Sequence, residues 1–281
     1  MPDVVPPSTS VGAIEVDDPD DPRLADYRAL TDVELRVRYE DDAGVFIAEG
    51  PLVIRELLSS TYDVRSVLVT PGQHDSLADA LEGSTAPVYV ATQRVIDAIA
   101  GFHLHRGALA CGARRPLLDV AGLIETAHVI CVLERINDHE NLGAIFRNAR
   151  ALGVDAVLMC PECCDPFYRR AVRVSMGHLL HVPIARTRHL PSALEQLAAA
   201  GFTTVALTPD PAAEPVQVLD GLRGQRVALL LGAEGPGLRP ATQEAAHHRV
   251  RIPMQSGVDS LNVATAAAIA FHRSLSVDTG Q

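Results

Sequence analysis

Lysine is missing from all 281 residues, and each of the 24 basic side chains is an arginine. That excludes a Walker A phosphate loop, a pyridoxal Schiff base and any lysine nucleophile or base. Tryptophan is missing too, and aromatic residues make up 4% of the chain, so no indole platform can stack a nucleobase. No uninterrupted apolar run approaches the roughly 20 residues of a membrane-spanning helix. The start, Met1-Pro2-Asp3, has no basic segment and no apolar stretch behind it. We therefore expect no signal peptide, no membrane partner and a soluble, cytoplasmic protein. Cysteine is scarce: five residues without regular spacing fit reduced thiols better than a disulfide framework.

What is present supports one large domain or two small ones. Apolar residues reach 47% and charged residues 21%, enough for a packed core. The net charge of -11 argues at first against nucleic acid. Its distribution weakens that argument, because residues 1–42 carry a net of -8 and residues 43–281 only -3. From Asp165 to Arg188 five arginines face a single aspartate. A local basic patch of this kind can hold phosphates on an acidic chain.

Residues 1–22, rich in Pro, Asp and Ser, read as a flexible acidic arm. The pattern then predicts a helix over 29–39, a strand over 45–49, a helix over 52–58 and a strand over 64–69 closed by a Pro71-Gly72 turn. A helix over 77–81, a strand over 87–91 and a helix over 94–100 follow, an alternation typical of a small α/β domain. Gly107, Gly112 and Pro116 mark a boundary. The domains expected are 23–112, a linker over 113–127, and 128–281. In the last, apolar strands over 128–133, 155–159, 181–185, 203–208, 226–231 and 249–253 alternate with helices over 141–152, 191–200 and 260–274. That is the signature of a parallel sheet covered on both faces.

Three segments can carry chemistry. In the first, Asn141 opens a helix, Gly143 permits close backbone approach and Arg147 follows in the second turn; read plainly, this is an N-cap and a solvated arginine. In the second, a buried strand runs into Gly232, Ala233, Glu234, Gly235, Pro236 and Gly237. The carboxyl end of a strand is where α/β folds bind ligands, but the order of the glycines is a poor dinucleotide fingerprint. Its plain reading is a sharp turn with an exposed Glu234. In the third, Ile252, Pro253 and Met254 precede Ser260, Leu261 and Asn262, and Ser260 is placed to cap a final helix that is apolar nearly all round. Such a helix is buried in a core or a subunit interface. Cys160 and Cys163 have C-x-x-C spacing without a second pair, so no metal is expected. No G-x-S-x-G elbow is present.

Taken together and in this order, the three segments resemble the three motifs of the SpoU/TrmH class of SPOUT RNA methyltransferases. Asn141, Gly143 and Arg147 match N-x-G-x-x-x-R. Gly232, Glu234, Gly235 and Gly237 match L-G-x-E-G-x-G. Ile252, Pro253, Met254, Ser260, Leu261 and Asn262 match I-P-M followed by S-L-N-V. The segment from Arg173 to Gly177 is similar to the family's connecting element. The N-terminal part resembles the small ribosomal-protein-like RNA-binding domain that many members carry.

The resemblance implies an α/β fold in which a C-terminal parallel sheet is tied in a trefoil knot behind a smaller N-terminal α/β domain. It implies S-adenosylmethionine as cofactor, a homodimer through the C-terminal domain, and methylation of a ribose 2′-hydroxyl in RNA. Ribosomal RNA is the first expectation. Transfer RNA, a base methyltransferase of the same superfamily and a catalytically inactive RNA-binding module remain as alternatives. On this reading Arg147, Asn141, Glu234, Ser260 and Asn262 are catalytic, and Gly232, Ala233, Gly235, Ile252, Met254 and Leu261 line the cofactor pocket. Arg169, Arg170, Arg173, Arg114 and Arg115 are expected to meet RNA phosphates.

Overall fold

The computed structural model describes residues 12–32 and 39–275. The chain divides into two units, residues 1–115 with 167–180, and residues 116–166 with 181–281.

The first unit is built on a mixed sheet whose strands lie in the order β1 (Ile14–Val16), β4 (Val88–Ala91), β3 (Val64–Val69), β5 (Ala108–Ala113) and β2 (Val45–Glu49). β4 runs parallel to both β1 and β3, while β5 is antiparallel to β3 and to β2. The β-branched runs Val64–Val69 and Val45–Glu49 suit a pleated surface buried on both faces. Helices Pro51–Ser59, Pro71–Leu81 and Gln93–Ala100 follow three of the strands. Leu24, Tyr27, Ile47, Leu68, Ile96 and Leu109 form part of one core, each large apolar side chain contributing about 1.5–3 kcal/mol.

The structure departs from the sequence expectations at several places in this unit. The arm expected through residue 22 is ordered from Ile14, because β1 adds to the β4 edge and Asp21 caps a 3-10 helix, Pro22–Tyr27. Residues 1–11 lie outside the described residues. So do 33–38 of the helix expected over 29–39, and Ala29 within that span adopts a positive φ of 51°. Pro71 opens the Pro71–Leu81 helix and is no turn; a missing N–H is harmless at a first helical position. β5 fills the stretch where a boundary was expected. Its small residues hide the strand, and Gly112 is small for a reason: an added Cβ would stand 2.4 Å from the Phe46 ring.

Residues 167–180 also belong here. Phe167 packs on Phe46 with ring centroids 5.3 Å apart, and on Tyr62 at 5.6 Å. The Arg169–Val174 helix then brings Arg169 and Arg173 to the carboxylate of buried Glu49.

The second unit is a seven-stranded sheet in the order β10 (Glu214–Pro215), β12 (His248–Arg251), β9 (Thr203–Leu207), β11 (Val227–Gly232), β6 (Val129–Glu134), β7 (Ala156–Met159) and β8 (Ile184–Arg186), with every pairing parallel. Helices Val120–Thr126, His139–Leu152, Leu190–Ala199, Pro240–Glu244 and Val263–Ser274 accompany it. The Val120–Thr126 helix, capped by Asp119, occupies nearly half of what reads as a linker. Because β12, β9 and β11 are parallel neighbours, the loops that follow them leave the sheet at the same edge. Among the described residues no helix is long and apolar enough to cross a membrane.

Candidate functional site

The helix His139–Leu152 starts earlier than expected. Its cap is Asp138, whose side chain accepts from the Asn141 N–H at 2.8 Å. Asn141 is therefore not the cap, and its own side chain is free for another partner. The final helix differs in the same way. It begins at Val263, and Asn262 caps it by accepting from the N–H groups of Ala264 and Thr265 at 3.0 and 3.2 Å. Ser260, expected in that role, lies exposed ahead of it.

The Asn262 side chain thus has two ends with two tasks. Its oxygen caps the helix. Its amide donates to Asn141 Oδ1 at 2.7 Å and to Glu234 Oε1 at 2.8 Å. One residue from each of the three segments meets at this point. Asn148 adds a second tie, donating to the Ala264 carbonyl at 2.9 Å.

Beside this junction lies a cavity of about 450 Å³, within the range of small-molecule sites. Leu207, Thr208 and Pro209 at the end of β9 form one wall, and Leu231 to Gly235 with Gly237 at the end of β11 a second. Ile252 and Met254 after β12, with Ser260 to Val263, complete it. Gly232, Ala233, Gly235, Ile252, Met254 and Leu261 all line it, as do Glu234, Ser260 and Asn262. Asn141 and Arg147 do not. Arg147 is exposed, and among the described residues it has no hydrogen bond or ion pair.

The loop after β11 is folded tightly. Gly237 donates back to the Ala233 carbonyl at 2.9 Å. An added Cβ on Gly232 would stand 2.2 Å from the Gly237 carbonyl carbon and from the Leu238 nitrogen, so only glycine fits there. Gly235 and Gly237 hold positive φ values of 80° and 65°. Underneath, Glu134 is 1% exposed. Its carboxylate accepts from the Arg239 N–H at 2.8 Å and the Thr242 hydroxyl at 2.9 Å.

Among the described residues the cavity lining holds a single ionisable group, the carboxylate of Glu234, and no arginine or histidine. Apolar walls, a glycine-rich backbone and one acid suit a small organic cation such as the S-adenosylmethionine that the motifs imply. A protein cation in the wall would repel a sulfonium.

Residues 128–272 match the model of the SpoU rRNA methylase family. The chain belongs to this family. It is 47% identical over 259 residues to an uncharacterized tRNA/rRNA methyltransferase of Mycobacterium tuberculosis, an alignment spanning 92% of this chain and 90% of that one. It is 28% identical over 231 residues to the 23S rRNA (guanosine-2′-O-)-methyltransferase RlmB of Bordetella pertussis, spanning 79% and 93%. The AdoMet-bound rRNA methyltransferase from Sinorhizobium meliloti superposes with a TM-score of 0.78 at 27% identity, covering 93% of this chain and 97% of that one. The α/β fold with its parallel sheet is the fold of SpoU methyltransferases, and the protein is an RNA methyltransferase.

Of the five arginines expected to face RNA, Arg169, Arg173, Arg114 and Arg115 have partners within their own unit. Arg169 and Arg173 share the Glu49 carboxylate, and Arg169 also lies over the Phe102 ring at 5.1 Å. Arg114 donates to the Val45 carbonyl at 2.7 Å and pairs with Asp41 at 3.2 Å. Arg170 and Arg115 are exposed, the latter 3.8 Å from Asp63.

Behind the SpoU loops, Cys160 and Cys163 are buried with their sulfurs 3.7 Å apart. The Cys163 thiol, with help from the Arg135 N–H, draws the Cys160 thiol down to about 6, and the same contact pushes Cys163 up. Glu134, Arg135, Asn148 and Cys160 have no sequence signal that links them to the three motifs. Asp138 does have one, an acid directly ahead of a helical pattern.

Proposed function

We propose that this protein methylates a ribose 2′-hydroxyl of RNA with S-adenosylmethionine as donor, and that the RNA is ribosomal. The observation that carries this reading is the Asn262 amide, which draws Asn141 and Glu234 to the rim of the cavity. The donor, when bound, supplies a methyl group already activated on a sulfonium. Ile252, Met254 and Leu261 would enclose its adenosyl part, and Gly232, Ala233 and Gly235 would present backbone groups to it. Glu234 would face its positive charge.

The chain's own task is to place the 2′-hydroxyl and to stabilise the alkoxide as its proton leaves. Arg147, exposed and without a competing partner among the described residues, is the group we assign to that charge. A guanidinium offers N–H donors and no acceptor, so Arg147 does not take the proton and its part is electrostatic. Asn141 and Ser260 would orient the ribose. Arg170, Arg173 and Arg115 are exposed and are assigned to phosphates, while Arg169 and Arg114 chiefly hold the first unit together. We assign RNA-substrate binding to that first unit. A trefoil knot through the final segment, a homodimer through the second unit and a cytoplasmic location go with this reading.

The 23S rRNA activity named for the Bordetella relative supports a ribosomal substrate. The test is direct. Purified protein is incubated with labelled donor and ribosomal or transfer RNA, and the product is digested and read by mass spectrometry. Label on a ribose of ribosomal RNA supports the proposal; label on a base, label on transfer RNA alone, or no label overturns it.

A further inference from the structure

Arg135 is the first residue after β6, and its backbone is unusual. It holds a positive φ of 61°, a left-handed conformation that L side chains resist and glycine adopts freely. Strain of this kind persists where the surroundings fix it, commonly at functional sites.

The side chain shows what the strain maintains. Gly232 at the end of β11 is the register partner of Glu134 at the end of β6, so the two following loops leave the sheet side by side. Across that gap Arg135 Nη2 donates to the Gly237 carbonyl at 3.0 Å. Its backbone N–H donates to Cys160 Sγ at 3.1 Å. Its Nε is buried without a hydrogen-bond partner among the described residues. Gly237 lines the cavity and closes the tight turn over Ala233.

A glycine at this position would remove the backbone strain and the link to Gly237 together. We propose that Arg135 is a positioning residue for the methyl donor: its guanidinium pins the Gly237 carbonyl, so that the loop from Gly232 to Gly237 keeps the shape the cofactor requires. This rests on the reading of the cavity as the S-adenosylmethionine site.

Two variants separate this role from a purely structural one. Arg135→Met keeps the strained backbone and the aliphatic stem but loses the donor. Arg135→Gly loses the donor and relieves the strain. Calorimetry of the full chain with S-adenosylmethionine is expected to show binding weakened about tenfold in both, the effect of one charge-assisted hydrogen bond. Thermal unfolding is expected a few degrees higher for Arg135→Gly than for Arg135→Met. In methyl transfer the KM for the donor rises in both while kcat at saturating donor stays within about twofold.

Binding by Arg135→Gly within about twofold of the wild type overturns the proposal. So does a fall in kcat with unchanged KM, or Arg135→Gly unfolding no higher than Arg135→Met. A wild-type chain that takes up no S-adenosylmethionine overturns the cofactor reading itself, and is told apart by being seen before any substitution is made.

Discussion

Asn262 and Asn141, 121 residues apart in the chain, are joined by a hydrogen bond of 2.7 Å. The same amide reaches Glu234, while the Asn262 oxygen caps the last helix. Substitution can divide these tasks. Asn262→Asp keeps a capping oxygen but has no donor and sets a second acid beside Glu234. We expect its stability to remain within about 1 kcal/mol of the wild type, whereas Asn262→Ala loses the cap and about 1–2 kcal/mol. Methyl transfer should fall in both. Denaturant unfolding beside a labelled-donor assay decides it: full activity in Asn262→Asp shows that the junction is not needed.

Arg147→Ala removes an exposed side chain that has no hydrogen bond or ion pair among the described residues. Stability should change by no more than about 0.5 kcal/mol, and calorimetric binding of the donor should be retained. Transfer to RNA should drop by roughly a hundredfold or more, as when one charge-stabilising donor is lost. A variant that methylates at the wild-type rate refutes the assignment of Arg147.

Gly232→Ala is expected to be far worse than Gly235→Ala. At Gly232 the new methyl meets backbone that cannot yield, 2.2 Å away, so the loop must open; overpacking of this kind costs about 1–3 kcal/mol and should abolish donor binding. At Gly235 there is open space and the penalty comes from φ alone, about 1–2 kcal/mol. Unfolding and donor titration of both variants provide the comparison, and equal behaviour would contradict the packing argument.

The Cys160–Cys163 pair gives a pH dependence whose sign can be worked out. The folded pair releases its first proton near pH 6, against a free-thiol value of 9.0. Between about pH 6 and 9 the unfolded chain therefore holds more protons than the native one, and stability rises with pH. Above that range the unfolded chain loses both protons while Cys163, pushed up, keeps its own, and stability falls. Thiolate absorbance at 240 nm should titrate near pH 6 in the native protein and shift upward in Cys163→Ala. A native titration near 9 would contradict the contact.

Much of the second unit was legible because its strands are continuous apolar runs: β6, β9 and β11 each start and end within one residue of the expected bounds. β5 was not, since Ala, Cys and Gly carry no period, and the reason for Gly112 is a ring on another strand. The caps misled for a related reason. Asp138, Asn141, Ser260 and Asn262 are all able to cap, and only the fold decides which side chains cap and which turn to each other. Arg135 was invisible altogether, because nothing in a sequence marks a left-handed arginine.

The return of residues 167–180 to the first unit bears on how the protein can be dissected. A fragment cut after Arg115 looks like a natural excision, yet it would discard Phe167 from the Phe46 face and both guanidinium groups from Glu49. The truncated piece would carry a stranded acid in its interior and a bare aromatic surface, a recipe for aggregation. Shuffling this N-terminal unit onto another catalytic unit would call for a graft of two separate stretches of chain.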